Sequence, residues 1–187
     1  MVLKCSHLWL IFLLSMQMLL SSCTFQDVKT SDIPLNTVNQ DIRIGDFNNK
    51  LILLSFGYTH CPDICPATLM HVAQALDLMS KEERASLQAI FVSVDPERDT
   101  PTYLAEYTGF FHPDIIGATA TSENLKAFMK AFKIEAFKKA DIKNYEISHT
   151  SYLFLIDENA TVLDMMGHQT KPESIVEAIR NKLKRTI

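Results

Sequence analysis

Leu51-Ile-Leu-Leu-Ser-Phe56 leads directly into Gly57-Tyr-Thr-His-Cys61-Pro-Asp-Ile-Cys65-Pro66. The first stretch is a short apolar run of the kind that forms a buried strand. Behind the second, Leu69, Val72, Leu76 and Met79 recur at helical spacing, which predicts a helix over Ala67–Met79. Pro66 falls in the first turn, where its missing N–H is no loss. Ala89-Ile-Phe-Val-Ser-Val94 is a second buried-strand run. Strand, helix, strand in this order implies two parallel strands joined by a right-handed crossover. The turn 57–65 then stands at the carboxyl edge of the sheet, where sites form in such folds.

Working outward, the pattern predicts a helix over Thr102–Phe111, a short strand over Asp114–Ala118 and a helix over Glu123–Phe132 whose apolar stripe is Leu125, Phe128, Met129 and Phe132. Ser151–Ile156 and Thr161–Met166 form a hairpin around the turn at Asp157–Asn159. A last helix over Pro172–Lys184 carries Ile175, Val176, Ile179 and Leu183 on one face, with basic residues near its end. A βαβ unit, a hairpin and a closing helix make an α/β domain of thioredoxin-like plan, a central mixed sheet flanked by helices, expected over residues 41–187.

The whole chain of 187 residues has room for one such domain and a short extra segment. With 47% hydrophobic and 21% charged residues, 5 Gly and 7 Pro, it is neither fibrous nor wholly disordered. Its 18 basic and 22 acidic residues leave a net charge of −4, so nothing favours nucleic acid as a partner. Leu8–Leu20 is apolar apart from Ser15 and Gln17 and follows Lys4. It is too short to span a bilayer and fits a secretory h-region. Leu20-Ser-Ser-Cys23 resembles a bacterial lipobox, so residues 1–23 read as a lipoprotein-type signal with Cys23 as the lipidated residue. A soluble cleaved form and an uncleaved short anchor are the alternatives. Residues 24–40, polar and without a period, read as a flexible tether to an extracytoplasmic, periplasmic-side membrane. Cys5 leaves with the signal, so Cys61 and Cys65 remain to do chemistry.

Two thiols four residues apart at the opening of a helix are close enough for one disulfide or one metal ion. The helix N-terminus favours thiolate, and Pro62 and Pro66 restrict the loop. A structural disulfide or two small buried hydrophobes are the plainer readings. His149, in Glu146-Ile-Ser-His-Thr-Ser151, stands at the junction that approaches the cysteine turn in a thioredoxin-like chain. The proline usual there is missing between Ile147 and Tyr152. A histidine in that place supplies a donor atom, and two sulfurs with one imidazole suit Cu(I) and Cu(II). The sequence offers no strong fourth ligand for zinc. Asp95 and Asp99, after the second strand, stand on the same sheet edge. They are either helix-start residues or partners that orient the site from behind its ligands.

Phe56–Pro66, the later Ser93-Val-Asp-Pro-Glu-Arg-Asp-Thr-Pro101 and His149 before a hydrophobic strand together resemble the Sco/SenC family of copper-binding assembly proteins. The likeness runs from about Lys50 onward. It implies copper held by Cys61, Cys65 and His149. It also implies a role in maturing cytochrome c oxidase, by delivering copper to the binuclear site of subunit II, in exchange with that subunit or other copper chaperones, or by reducing that site's cysteines. Where members often have Asp before the histidine, this chain has Ser148. The competing function is a membrane-tethered thiol-disulfide oxidoreductase in which Cys61 and Cys65 are the catalytic redox pair, Cys61 attacking and Cys65 resolving. A thiol peroxidase is disfavoured, because the Thr-x-x-Cys and nearby Arg of peroxiredoxins are missing from this turn.

Overall fold

A computed structural model describes residues 29–139 and 145–186. The signal segment, Cys5, Cys23 and residues 24–28 lie outside the described residues. We number the strands β1 (Leu35–Asn36), β2 (Asp41–Ile42), β3 (Leu51–Gly57), β4 (Leu87–Ser93), β5 (Ile115–Ala118), β6 (Ala136–Lys139), β7 (Glu146–His149), β8 (Tyr152–Ile156) and β9 (Val162–Gly167). The helices are α1 (Ile64–Asp77), α2 (Lys81–Ala85), α3 (Pro101–Phe111), α4 (Ser122–Ala131) and α5 (Pro172–Thr186).

Five strands form the central mixed sheet in the order β5-β4-β3-β8-β9. All seven residues of β3 are buried, as expected of a continuous apolar run at the centre of a sheet covered on both faces. It pairs parallel with β4 from Leu51↔Leu87 to Gly57↔Ser93 and antiparallel with β8 from Ile52↔Ile156 to Ser55↔Leu153. Because β3 and β4 run the same way, the cysteine turn after β3 and the Asp95–Asp99 loop after β4 emerge side by side. The backbone joins them directly, Val94 N donating to Gly57 O at 2.8 Å.

Helix α1 begins at Ile64, three residues before the predicted start, so Cys65 lies in its first turn together with Pro66. Its buried face includes Cys65, Thr68, Leu69, Val72 and Leu76. Phe128 of α4 and the following Phe132 meet Phe56 of β3 and Phe154 of β8 in an aromatic cluster with ring centroids 5.0–6.2 Å apart. Such tilted and edge-on pairs add to the burial energy. The cluster fixes the end of β3 from which the cysteine turn springs.

One expectation is corrected. The flexible tether over 24–40 does not describe residues 29–40. Ile33 and Leu35 are 3% and 0% exposed, β1 pairs with β2, and Asn36 and Thr119 exchange backbone bonds of 2.7 and 3.0 Å. Only a few apolar residues anchor this polar segment, too few to leave a period. The stretch before β8, where the sequence pattern predicts no element, is also paired. Residues 136–139 and 146–149 pair as an antiparallel ribbon of their own, Ala136↔His149 to Lys139↔Glu146, outside the main sheet.

Candidate metal and thiol site

Gly57, at the end of β3, makes room for the site. A Cβ there would stand 2.8 Å from Cys65 Sγ and 2.6 Å from Phe91 Cε2, inside any normal contact. The turn that follows is held by Asp99, which is fully buried. One oxygen of its carboxylate accepts from Thr59 N at 2.9 Å and Ser93 Oγ at 2.6 Å, and the other accepts from Thr59 Oγ1 at 2.5 Å. Asp99 therefore orients the backbone two residues before Cys61 and approaches neither sulfur by a hydrogen bond. Thr100, not an aspartate, caps α3, its hydroxyl accepting from Tyr103 N.

Cys61 and Cys65 are both free thiols, Cys61 half-buried and Cys65 3% exposed. They differ in charge as well as exposure. A hydrogen bond from the Cys65 thiol, aided by the backbone N–H groups of Asp63 and Cys65, outweighs burial and lowers the Cys61 pKa to about 5. Donating that bond, and burial, push Cys65 strongly up. One sulfur is thus a ready anion, and the other keeps its proton until a metal or a base removes it.

The second ribbon brings in the histidine. Nε2 of His149 lies 3.6 Å from Cys65 Sγ, and Nδ1 lies 3.0 Å from the carbonyl oxygen of Thr150. A carbonyl only accepts, so Nδ1 of the neutral ring carries the hydrogen. Nε2 is left with its lone pair toward the sulfur, the tautomer that a metal ligand needs. Tyr58, 2% exposed, meets the imidazole edge-on at 6.1 Å and accepts from Ile147 N at 3.2 Å. Phe56, Ile64, Cys65, His149, Tyr152 and His168 are among the residues lining a crevice of about 10 Å³. That is room for one atom-sized guest, not for an organic substrate. Two wider hollows, one of about 300 Å³ beside Val38 and Thr108 and one of about 490 Å³ beside Lys50, Arg84 and Asp114, are lined by neither thiol nor imidazole.

The predicted residues are therefore brought together, yet not as a finished cage. Among the described residues no group of three histidine, cysteine or carboxylate side chains is gathered tightly enough to hold a metal as it stands. Asp95 is 1% exposed; it bonds Arg98 and Tyr145, not the cysteines. His60 bonds Thr59 Oγ1 at 3.0 Å and lies 3.8 Å from Asp99. His112 is 8% exposed, and its Nδ1 accepts from Asp114 N. His168 is half-buried on the crevice. Tyr58 and Tyr145 carry no sequence signal, because a lone tyrosine in a turn has no motif to mark it.

Comparison with known proteins agrees with this geometry. The family model described as SCO1/SenC matches residues 34–184. Protein SCO2 of Saccharomyces cerevisiae mitochondria is 34% identical over 141 residues, 74% of this chain and 47% of that protein. The chain thus spans about half the length of this relative. The crystal structure of Arabidopsis thaliana ScoI with copper bound superposes with a TM-score of 0.75 at 27% identity, covering 82% of this chain and 96% of that one. A SCO1/SenC family lipoprotein from Bacillus anthracis gives a TM-score of 0.65 at 25% identity over 76% of this chain and 86% of that one. Since the match begins in the packed N-terminal segment and runs into the last helix, taking in the cysteine turn and the histidine ribbon on the way, the chain belongs to the SCO1/SenC family.

Proposed function

We propose that this protein is a copper metallochaperone that holds one copper ion through Cys61, Cys65 and His149 and passes it by ligand exchange to the binuclear copper site of cytochrome c oxidase. The observation that carries this reading is the 3.6 Å approach of His149 Nε2 to Cys65 Sγ, with the second ring nitrogen already committed to a carbonyl. The donor set fits the metal. Two thiolates hold Cu(I), and the imidazole extends the site to Cu(II). The chain's own work is to keep Cys61 ionised, to present Cys65 as a thiol that gives up its proton on binding, and to bring the imidazole to both. A partner presenting thiolates of its own can then take the ion without any covalent bond of the protein being broken. The bound copper of the Arabidopsis relative supports this reading.

The lipobox-like Leu20–Cys23 and the lipoprotein relative from Bacillus anthracis support tethering by a lipid on Cys23, on the outer side of a membrane. Among the described residues no helix is long and apolar enough to cross a membrane.

A second reading is favoured by the unequal cysteines. A half-exposed, ionised Cys61 and a buried, protonated Cys65 are the division of labour of a dithiol reductant. The Cys61 thiolate attacks a partner disulfide and releases one partner thiolate. Cys65, losing its proton, then attacks the Cys61 sulfur and releases the second, so the partner gains two electrons and a Cys61–Cys65 disulfide remains. Titrating the reduced protein with Cu(I) and Cu(II) tests the two together. Wild type is expected to bind one equivalent, and His149→Ala to lose Cu(II) while retaining disulfide exchange. If His149→Ala leaves copper binding unchanged and Cys65→Ser abolishes reductase turnover, the chaperone reading is wrong.

A further inference from the structure

The ribbon β6–β7 that carries His149 shares no ladder with the main sheet. Its attachment comes largely from side chains, and they converge on the loop after β4. Asp95 accepts from the Tyr145 hydroxyl at 2.7 Å through one oxygen and from Arg98 Nε through the other. Arg98 Nη1 donates to the backbone carbonyl of Tyr145 at 3.0 Å, and its guanidinium carbon lies 3.7 Å from the centre of the Tyr145 ring. On the other strand of the ribbon, Lys138 Nζ pairs with Glu97 Oε2 at 2.7 Å and stands 4.4 Å from the same ring. Three residues of one short loop, Asp95, Glu97 and Arg98, thus grip both sides of the ribbon. Arg98 reaches further, its guanidinium carbon 5.8 Å from the ring of Tyr58, the tyrosine that accepts from Ile147 N and meets His149 edge-on.

We propose that Asp95, Arg98 and Tyr145 form a latch that holds the histidine ribbon against the cysteine turn and thereby sets how readily the imidazole joins or leaves the two sulfurs. The three are positioning residues. None of them bonds a sulfur or the imidazole. The proposal rests on the reading of Cys61, Cys65 and His149 as copper ligands, and it gives that site a selectivity. The two sulfurs hang from the central strand and α1, whereas the nitrogen hangs from the ribbon. Loosening the ribbon therefore weakens the imidazole-dependent Cu(II) state and spares a thiolate-held Cu(I) state.

The test uses the full reduced protein with two mild variants. Tyr145→Phe keeps the ring beneath the guanidinium and removes the hydroxyl that Asp95 accepts from. Arg98→Lys keeps the charge and removes the planar fork. In the metal-free state, amide hydrogen exchange at residues 147–149, referenced to β3 amides in the same sample, is expected to quicken about tenfold in Tyr145→Phe, as for loss of one charge-assisted bond. With aqueous Cu(II) and with Cu(I) as probes, Cu(II) affinity falls about three- to tenfold while Cu(I) affinity stays within about twofold. Unchanged exchange at 147–149 in both variants overturns the latch. So does an equal loss of Cu(I) and Cu(II), which is what a general loss of structure produces. The two readings fail separately. His149→Ala binding Cu(II) as wild type does removes the copper assignment, whereas quickened ribbon exchange in Tyr145→Phe upholds the latch without reference to copper.

Discussion

Replacing Gly57 by alanine adds one methyl group in a place where the structure leaves none to spare. Its Cβ would meet Cys65 Sγ at 2.8 Å and Phe91 at 2.6 and 2.8 Å, about 1 Å closer than the favourable range for such contacts. Phe91 is 1% and Cys65 3% exposed, so neither can swing into water, and β3, β4 or the start of α1 must shift. Overpacking of this kind costs about 1–3 kcal/mol. In a chain of this size that is a fall in Tm of roughly 2–12 °C. Gly109 is the internal control. It lies exposed in α3, and an added Cβ meets nothing within 4 Å. Alanine there gains up to about 1 kcal/mol of helix propensity, a rise of about 2–4 °C. The same chemical change is thus expected to have opposite signs at the two sites. Thermal scans of the reduced proteins measure this, and a Cu(II) titration adds a second readout, because only the Gly57 clash includes a ligand sulfur. Equal Tm for the two variants, or a destabilised Gly57→Ala that binds copper as wild type does, would refute the reasoning.

Alkylation of the reduced, metal-free protein by iodoacetamide is expected to show half-maximal Cys61 reactivity near pH 5, against about 8.5 for an ordinary thiol. Cys65→Ala removes the hydrogen bond that lowers it and moves the midpoint up. The midpoint is the diagnostic, since the lower nucleophilicity of an acidic thiolate offsets most of its greater abundance in the rate at neutral pH. Because the folded pKa of Cys61 is depressed, its contribution to stability is full above the unfolded value of about 8.5 and is lost as pH falls through about 5. The thermal midpoint of the reduced protein, compared with Cys61→Ser, therefore declines over that window. Asp99→Ala leaves the Thr59 N–H and the Ser93 hydroxyl hydrogen without their acceptor, while the Thr59 hydroxyl keeps its bond to His60. This costs at least about 2 kcal/mol, a fall of roughly 4 °C or more in Tm, and frees the cysteine turn, seen as faster alkylation of Cys65. An unchanged Tm would remove Asp99 from its anchoring role.

What could be read in the sequence was whatever a periodic or punctuated pattern records. β3 and β4 are apolar runs, α1 and α4 carry stripes, and the hairpin β8–β9 turns at Asp157, whose Oδ1 accepts from Asn159 N and Thr161 N. The cysteine pair was legible because thiols are scarce, and His149 because of where it stands before β8. The ribbon β6–β7 was not legible. Ala136-Phe-Lys-Lys139 is largely exposed, Ile147 is the one buried residue of β7, and a ribbon held by tyrosine, arginine and carboxylate contacts leaves no hydrophobic alternation. The roles of Asp95 and Asp99 were legible only as a choice. A carboxylate after a strand can cap a helix, tune a site or anchor a loop, and the bonding partners that decide the matter come from Thr59 and Tyr145, 40 and 50 residues away. Residues 29–40 have the sequence character of a tether because the buried side chains that anchor them, Ser31, Ile33, Leu35 and Ile42 at the border, are lost among polar neighbours.

Copper binding as proposed requires one meeting, that of a late imidazole with two early sulfurs around a single ion. X-ray absorption at the copper edge, recorded on the Cu(II)-loaded protein and on His149→Ala loaded with the Cu(I) it retains, tests it directly. The account predicts two sulfur neighbours and one imidazole nitrogen in the wild-type protein, with the nitrogen gone from the variant. An identical nitrogen shell in both proteins, or copper without sulfur neighbours, would contradict it.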